Sequence, residues 1–245
     1  MLKRILLSFV LLLITVYLVI AVTAFSRKPK GEICHALELV IKDSVHAGFI
    51  TKKEAIDMLK KKNIDPIGKN WERIHTRTLE RELAKHPFID QVECYRTPSS
   101  KLIIEVSQRI PILRIMNNKG DDYYIDNKGT IMPHSTKCVA HVAIVTGQID
   151  KPFALKELYP FALFLQKNSF WKAQVEQIHV LSNHRVELVP RVGEHLIYLG
   201  NLNQFEHKLK RVQQFYEKGL NKVGWNKYSR INVEFGNQII CTKKE

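Results

Sequence analysis

The feature that most constrains this chain is a run of 21 residues without a charge, Ile5 to Phe25, reading ILLSFVLLLITVYLVIAVTAF. A helix rises about 1.5 Å per residue, so the run spans roughly 30 Å, the thickness of a bilayer's hydrocarbon core. Its polar members Ser8, Thr15 and Thr23 can bond back to the helix's own carbonyls. A soluble helix buries one apolar stripe, whereas this run is apolar on every face. The pattern predicts a single transmembrane helix over 5–25, with Ile5, Leu12, Tyr17 and Phe25 as anchor residues. A tail of residues 1–4 precedes it and a basic linker, 26–32, follows. The rival reading is a cleaved signal peptide, for which Val22 and Ala24 offer a small-residue site. Apolar regions of signal peptides run to about 7–15 residues, and this one exceeds that. Charge does not orient the span. Lys3 and Arg4 lie before it and Arg27, Lys28 and Lys30 after it, so the Lys/Arg bias is nearly balanced. A four-residue tail is too short for a domain, which puts all folded mass on the far side.

The remaining sequence reads as soluble and structured. With 11 Gly and 9 Pro in 245 residues, it is neither collagen-like nor low-complexity. Four cysteines are too few for a disulfide framework, and the length suits one or two domains. Lys and Arg number 38 against 24 Asp and Glu, a formal charge of +14. The basic residues are scattered, with short runs at Lys52-Lys53, Lys60 to Lys62 and Lys208 to Arg211, and no aromatic base-stacking signature accompanies them. We read them as solvated faces beside an anionic membrane, with no nucleic-acid partner.

Periodicity divides the soluble part in two. Ile33, Leu37, Leu39 and Ile41 share one face of a strand over Ile33 to Ile41. Thr51-Lys52-Lys53-Glu54 is a capping box opening a helix with Ala55, Ile56 and Leu59 on its apolar stripe. A second helix buries Ile74, Leu79 and Leu83 and ends at His86-Pro87. Short strands follow near Val92 to Arg96 and Leu102 to Val106, joined by a turn at Thr97-Pro98-Ser99-Ser100. The second half is predicted as strands at Ile112 to Met116, Tyr123 to Asp126, Thr130 to Met132, Val142 to Val145, Val175 to Leu181, Val186 to Val189 and His195 to Leu199. Asp126-Asn127-Lys128-Gly129 is a hairpin loop. A helix over Phe153 to Lys167 contains Pro160, which costs about 3 kcal/mol inside a helix, so it is kinked or two pieces. Asn203 and Glu206 form a capping-box-like start to a helix with Phe205, Leu209, Val212, Phe215, Tyr216 and Leu220 on one side and Lys208, Lys210 and Arg211 elsewhere. The last strand is expected at Ile231 to Phe235.

No catalytic, metal or cofactor site emerges. Ser169-Phe170-Trp171-Lys172 matches the Ser-x-x-Lys nucleophile motif of penicillin-binding enzymes, but its two companion motifs are missing. The bland reading is a helix end carrying aromatic core residues. Asp121, Asp122 and Asp126 lack the calcium-loop spacing, and the ten His and four Cys lack zinc-site spacing. A Cys34–Cys94 disulfide is left open.

The order of elements resembles the bacterial FtsQ/DivIB cell-division family. Leu83-Ala84-Lys85-His86-Pro87-Phe88-Ile89-Asp90-Gln91-Val92 is similar to that family's helix-to-strand passage in its POTRA domain. Leu102 to Val106, then Arg109-Ile110-Pro111, looks like its exit into the β domain, and Tyr124 to Ile131 like its aromatic-aliphatic-Asp-x-x-Gly hairpin. Leu199-Gly200, Lys208-Leu209 and Ile231 to Phe235 follow in the family's order, and the ending Asn237 to Lys244 looks like versions from the Bacteroidetes. Asn232 and Glu234 stand where the family often has Asp and Arg.

The resemblance implies an α+β chain with a POTRA-like strand-helix-helix-strand-strand domain over 33–111 and a β-rich domain with flanking helices over 112–245. It further implies an inner-membrane protein with a cytoplasmic N-terminus and periplasmic domains at the division septum. Such a protein is a non-enzymatic scaffold without cofactors, binding small membrane proteins of the FtsB and FtsL type and acting on septal peptidoglycan synthase components. The expected partner-binding residues are Ile231, Val233, Phe235, Ile239 and Ile240, on an alternating strand free to offer its edge. If that strand were internal, its apolar face would simply be core. The competing classes are a membrane-anchored cell-wall enzyme, resting on Ser169 and Lys172, and a POTRA-containing secretion or assembly component. The latter usually continues into a membrane barrel, which about 130 residues with two helical segments do not resemble.

Overall fold

The computed structural model describes residues 2–26, 32–42 and 48–244, and within the first helix it describes side chains from Ser8 to Val22. Met1, linker residues 27–31 and the side chains of Ile5 and Phe25 lie outside the described residues. The first helix, α1, covers Leu2–Ser26, so it takes in most of the expected tail and the first linker residue. Leu12 and Tyr17 on it are exposed. Among the described residues no helix is long and apolar enough to cross a membrane. The 15 residues from Ser8 to Val22 rise only about 22 Å.

The N-terminal domain runs β1 (Ala36–Lys42), α2 (Lys52–Lys61), α3 (Thr76–Leu83), β2 (Ile89–Arg96) and β3 (Lys101–Gln108). Its sheet order is β1-β3-β2, with β1 parallel and β2 antiparallel to the central strand. The capping box forms: the Glu54 amide donates to Thr51 Oγ1 at 3.2 Å and the Thr51 amide to Glu54 Oε2 at 3.0 Å. Strict alternation in β3 turns Leu102, Ile104 and Val106 into a core that Leu39, Ala55, Leu59, Leu79 and Leu83 complete. Strand β1 starts three residues later than its pattern suggests. Ile33 only bridges to Asn70, because the Cys34 amide donates to the Lys69 carbonyl and the Trp71 amide to the Glu32 carbonyl. All four cysteines are free, so the Cys34–Cys94 bridge is not made, and burial pushes the Cys94 thiol up to about 12.

The C-terminal domain is built on nine strands. These are β4 (Pro111–Asn117), β5 (Asp122–Asp126), β6 (Ile131–Pro133), β7 (Ala143–Gly147), β8 (Val175–Val180), β9 (Val186–Pro190), β10 (Leu196–Gly200), β11 (Tyr228–Asn232) and β12 (Ile240–Lys243). They lie in the order β12-β11-β10-β9-β8-β7-β4-β5-β6. Strands β4, β7 and β8 are mutually parallel, as are β10 and β11. Between β7 and β8 come α4 (Lys151–Phe153), a π turn (Ala154–Leu158), α5 (Tyr159–Lys167) and α6 (Ser169–Gln174). The π turn resolves the Pro160 conflict. The helix restarts at Tyr159, so Pro160 falls in a first turn, where its missing N–H costs nothing. After β10 comes α7 (Phe205–Phe215), then a second π turn (Tyr216–Leu220) and α8 (Asn221–Val223). Its N-cap is Gln204 in a left-handed conformation without a side-chain cap, so the box expected from Asn203 and Glu206 does not form. Phe161, Leu165, Leu209, Val212 and Tyr216 from these helices share one core with Leu113, Ile115, Ile178, Leu188, Ile197 and Ile231.

Period-two alternation gives β5 two different faces. Tyr123 and Ile125 enter that large core, while Tyr124 points the other way and meets Phe49 of the N-terminal domain, with ring centroids 5.8 Å apart. Phe49 also stacks on Phe88 at 5.1 Å. Lys128 reaches Asp90 (2.6 Å) and Lys137 pairs with Glu54, joining the domains around this cluster. Lys137 and the Thr51 backbone together hold the Glu54 carboxyl down at about 2.

Candidate partner-binding edge

The chain's end supplies an edge. Among the described residues strand β12 pairs only with β11, antiparallel, through Ile231–Cys241 and Asn232–Ile240, and its other side meets no strand. An edge strand of this kind carries unpaired N–H and C=O groups that can template a partner strand. The expected final strand, Ile231 to Phe235, is therefore not last. β11 is sandwiched between β10 and β12, and its ladder ends at Asn232. The alternation was real, but it reports a strand buried on one face and paired on both sides.

The five expected contact residues divide accordingly. Ile231 and Val233 are 0% exposed and belong to the core. Ile239 is half-buried against the same core. Phe235 and Ile240 are 49% and 45% exposed. Substituting a charge at Val233 would therefore strike the core rather than a surface.

The turn that leads into β12 is tied to α7. Arg211 on α7 donates to the carbonyls of Phe235 (2.7 Å) and Gln238 (2.6 Å), pinning both ends of the turn that carries β12 into place. Glu234 accepts from Arg185, and Asn232 Oδ1 accepts from the Glu234 amide at 2.9 Å. The two residues that depart from the family pattern thus serve local contacts. Arg230 pairs with Glu187 and lies 4.3 Å over the Tyr198 ring. Lys208, expected off the apolar side of its helix, is buried instead. Its ammonium donates to Leu199 O (3.0 Å), Asn201 O (2.7 Å) and Asn201 Oδ1 (3.0 Å), and burial, aided by Arg185, pushes its pKa down. Sequence reasoning missed Arg211 and Lys208. Their acceptors are carbonyls of distant loops, for which no spacing rule exists.

Among the described residues the remaining candidates do not come together in one place. Ser169 and Lys172 both lie exposed on α6, and among the described residues neither bonds the other. Asp122 is taken by Arg114 through two bonds (2.9 and 2.6 Å), which hold its carboxyl below the usual carboxylate range. Asp126 accepts from Arg109 (2.8 Å) and from the Lys128 and Thr130 amides, closing the hairpin. Among the described residues no group of His, Cys, Asp and Glu is placed to hold a metal.

Residues 110–242 match the family description "FtsQ/DivIB, C-terminal related", and residues 32–107 match a POTRA-like domain. The chain is 23% identical over 181 residues to the cell division protein FtsQ of Geotalea daltonii, an alignment covering 69% of this chain and 64% of that relative.

Proposed function

The chain belongs to the FtsQ/DivIB family of cell-division proteins, and from that premise we propose that it is a membrane-anchored, non-enzymatic scaffold of the division machinery. In this reading the apolar run 5–25, carried on α1, is the anchor, with the N-terminus cytoplasmic and both domains periplasmic at the septum. The partners are small division membrane proteins of the FtsB and FtsL type, and through them components of septal peptidoglycan synthesis. The observation that carries the reading is the open side of β12, flanked by exposed Ile240 and Phe235 and clamped by Arg211. A preorganised edge binds an added strand without first having to order itself.

The test is co-purification from solubilised membranes using the tagged full chain and its Ile240→Asp and Phe235→Asp variants. Both positions are about half exposed, so the variants should fold. Each should lose partner capture while melting as the parent does. Undiminished capture by both folded variants would remove β12 as the docking edge.

A further inference from the structure

We infer that a crevice at the carboxyl ends of β4, β7 and β8 is a saccharide-binding site. These parallel strands end side by side, with Asn117 level with Gly147 and Gly147 level with Val180. The chain leaves β4 towards β5 but leaves β7 towards β8, in opposite directions along the sheet. Loops that diverge in this way open a crevice beyond the carboxyl ends of the strands, where ligands of parallel sheets bind. Here the crevice has a volume of about 420 Å³, within the range of small-molecule sites. Its floor depends on Gly147, at φ +110°, where a Cβ would stand 2.0 Å from the Val180 carbonyl oxygen.

The lining specifies the ligand chemistry. Asn118, Gln148 and Asn183 contribute three side-chain amides, and among the described residues none of these has a protein hydrogen-bond partner. A free amide offers both donors and an acceptor, which suits the paired hydroxyls of a sugar. Beside them stands a flat ring. His184 stacks on Phe153 (centroids 4.1 Å apart, planes 9° apart) and is tied by a 3.1 Å hydrogen bond to Asp150, while 47% of its side chain stays exposed. Asn183 and His184 both adopt left-handed backbone conformations, at φ 57° and 56°, which brings the ring to the crevice. A backed, half-exposed ring accepts the apolar C–H face of a pyranose. Lys119 and Asp150 oppose one another in charge at the rim, so the site favours a neutral sugar over a phosphate. Three strands separate β8 from β12, so this inference stands apart from the partner-binding reading.

The experiment is saturation-transfer NMR on the full chain in nanodiscs, which avoids sugar-based detergents, with chitotriose and maltotriose as probes. Transfer to the ring C–H protons of at least one probe is expected. The Asn118→Ala/Gln148→Ala double variant, altered only at exposed positions of ordinary backbone conformation, should weaken binding by about fivefold or more. Partner capture through β12 should be unchanged in that variant. Transfer to neither probe, or equal affinity in the double variant, would overturn the assignment.

Discussion

A single substitution at Gln108 would loosen the segment that carries Phe49 to the other domain. Gln108 ends β3, is 3% exposed, and its Oε1 accepts from the Phe49 amide (3.0 Å) and the Ile50 amide (3.2 Å), fixing the segment that carries Phe49 into the domain junction. The substitution Gln108→Met keeps the length of the side chain and removes the acceptor. Two buried N–H groups are then orphaned, at about 2 kcal/mol each. Gln108 Nε2 has no partner in the parent, and its removal returns about 1 kcal/mol. The net loss is about 3 kcal/mol. For a domain the size of the N-terminal one, that lowers the melting transition by roughly 12–24 °C. Thermal melting of the full chain should show this shift in one transition, and hydrogen exchange should show lost protection at the amides of Phe49 and Ile50. A melting curve superimposable on the parent's, with exchange at those two amides unchanged, would refute the claim that this amide holds the junction.

Two further outcomes follow from burial. Val233→Asp should destabilise the C-terminal domain by about 4–5 kcal/mol, the sum of a lost buried side chain and a buried carboxylate, and an unshifted melting curve would contradict the placement of Val233 in the core. His195 is 2% exposed, bonded to the Tyr216 hydroxyl at 2.6 Å, and burial lowers its pKa below 6.5. Its contribution to stability is therefore full above pH 6.5 and is lost as pH falls below that value through the folded-state pKa, because the unfolded chain takes up the proton first. The drop in melting temperature between pH 7.5 and 5.5 should be smaller for His195→Gln than for the parent.

What could be read from the sequence was what is local. The Thr51–Glu54 box, the β3 alternation and the Asp126 hairpin are settled by residues a few positions apart, and each formed as its pattern demanded. The misread features depend on distant partners. Whether Ile231 and Val233 face solvent is decided by β10, some thirty residues earlier, and by β12 after them. The Asn203 box failed because Gln204 takes the left-handed cap instead. The slip to a π turn that accommodates Pro160 leaves no mark on hydrophobic spacing. For the candidate site, the exposed apolar residues Phe235 and Ile240 were readable as apolar, but the Arg211 clamp and the true edge strand were not.

The nine-strand sheet also sets a distance. The N-terminal domain abuts Tyr124 and Met132 at the β5–β6 end, while β12 is the opposite margin. Eight inter-strand spacings of about 4.8 Å put these two margins roughly 38 Å apart along the sheet. A twist of about 20° per strand turns one end through roughly 160° relative to the other. Binders engaging the two margins would sit at opposite ends of the sheet without competing for space. A continuous hydrogen-bonded ladder of nine strands thus holds β12 and the domain junction apart.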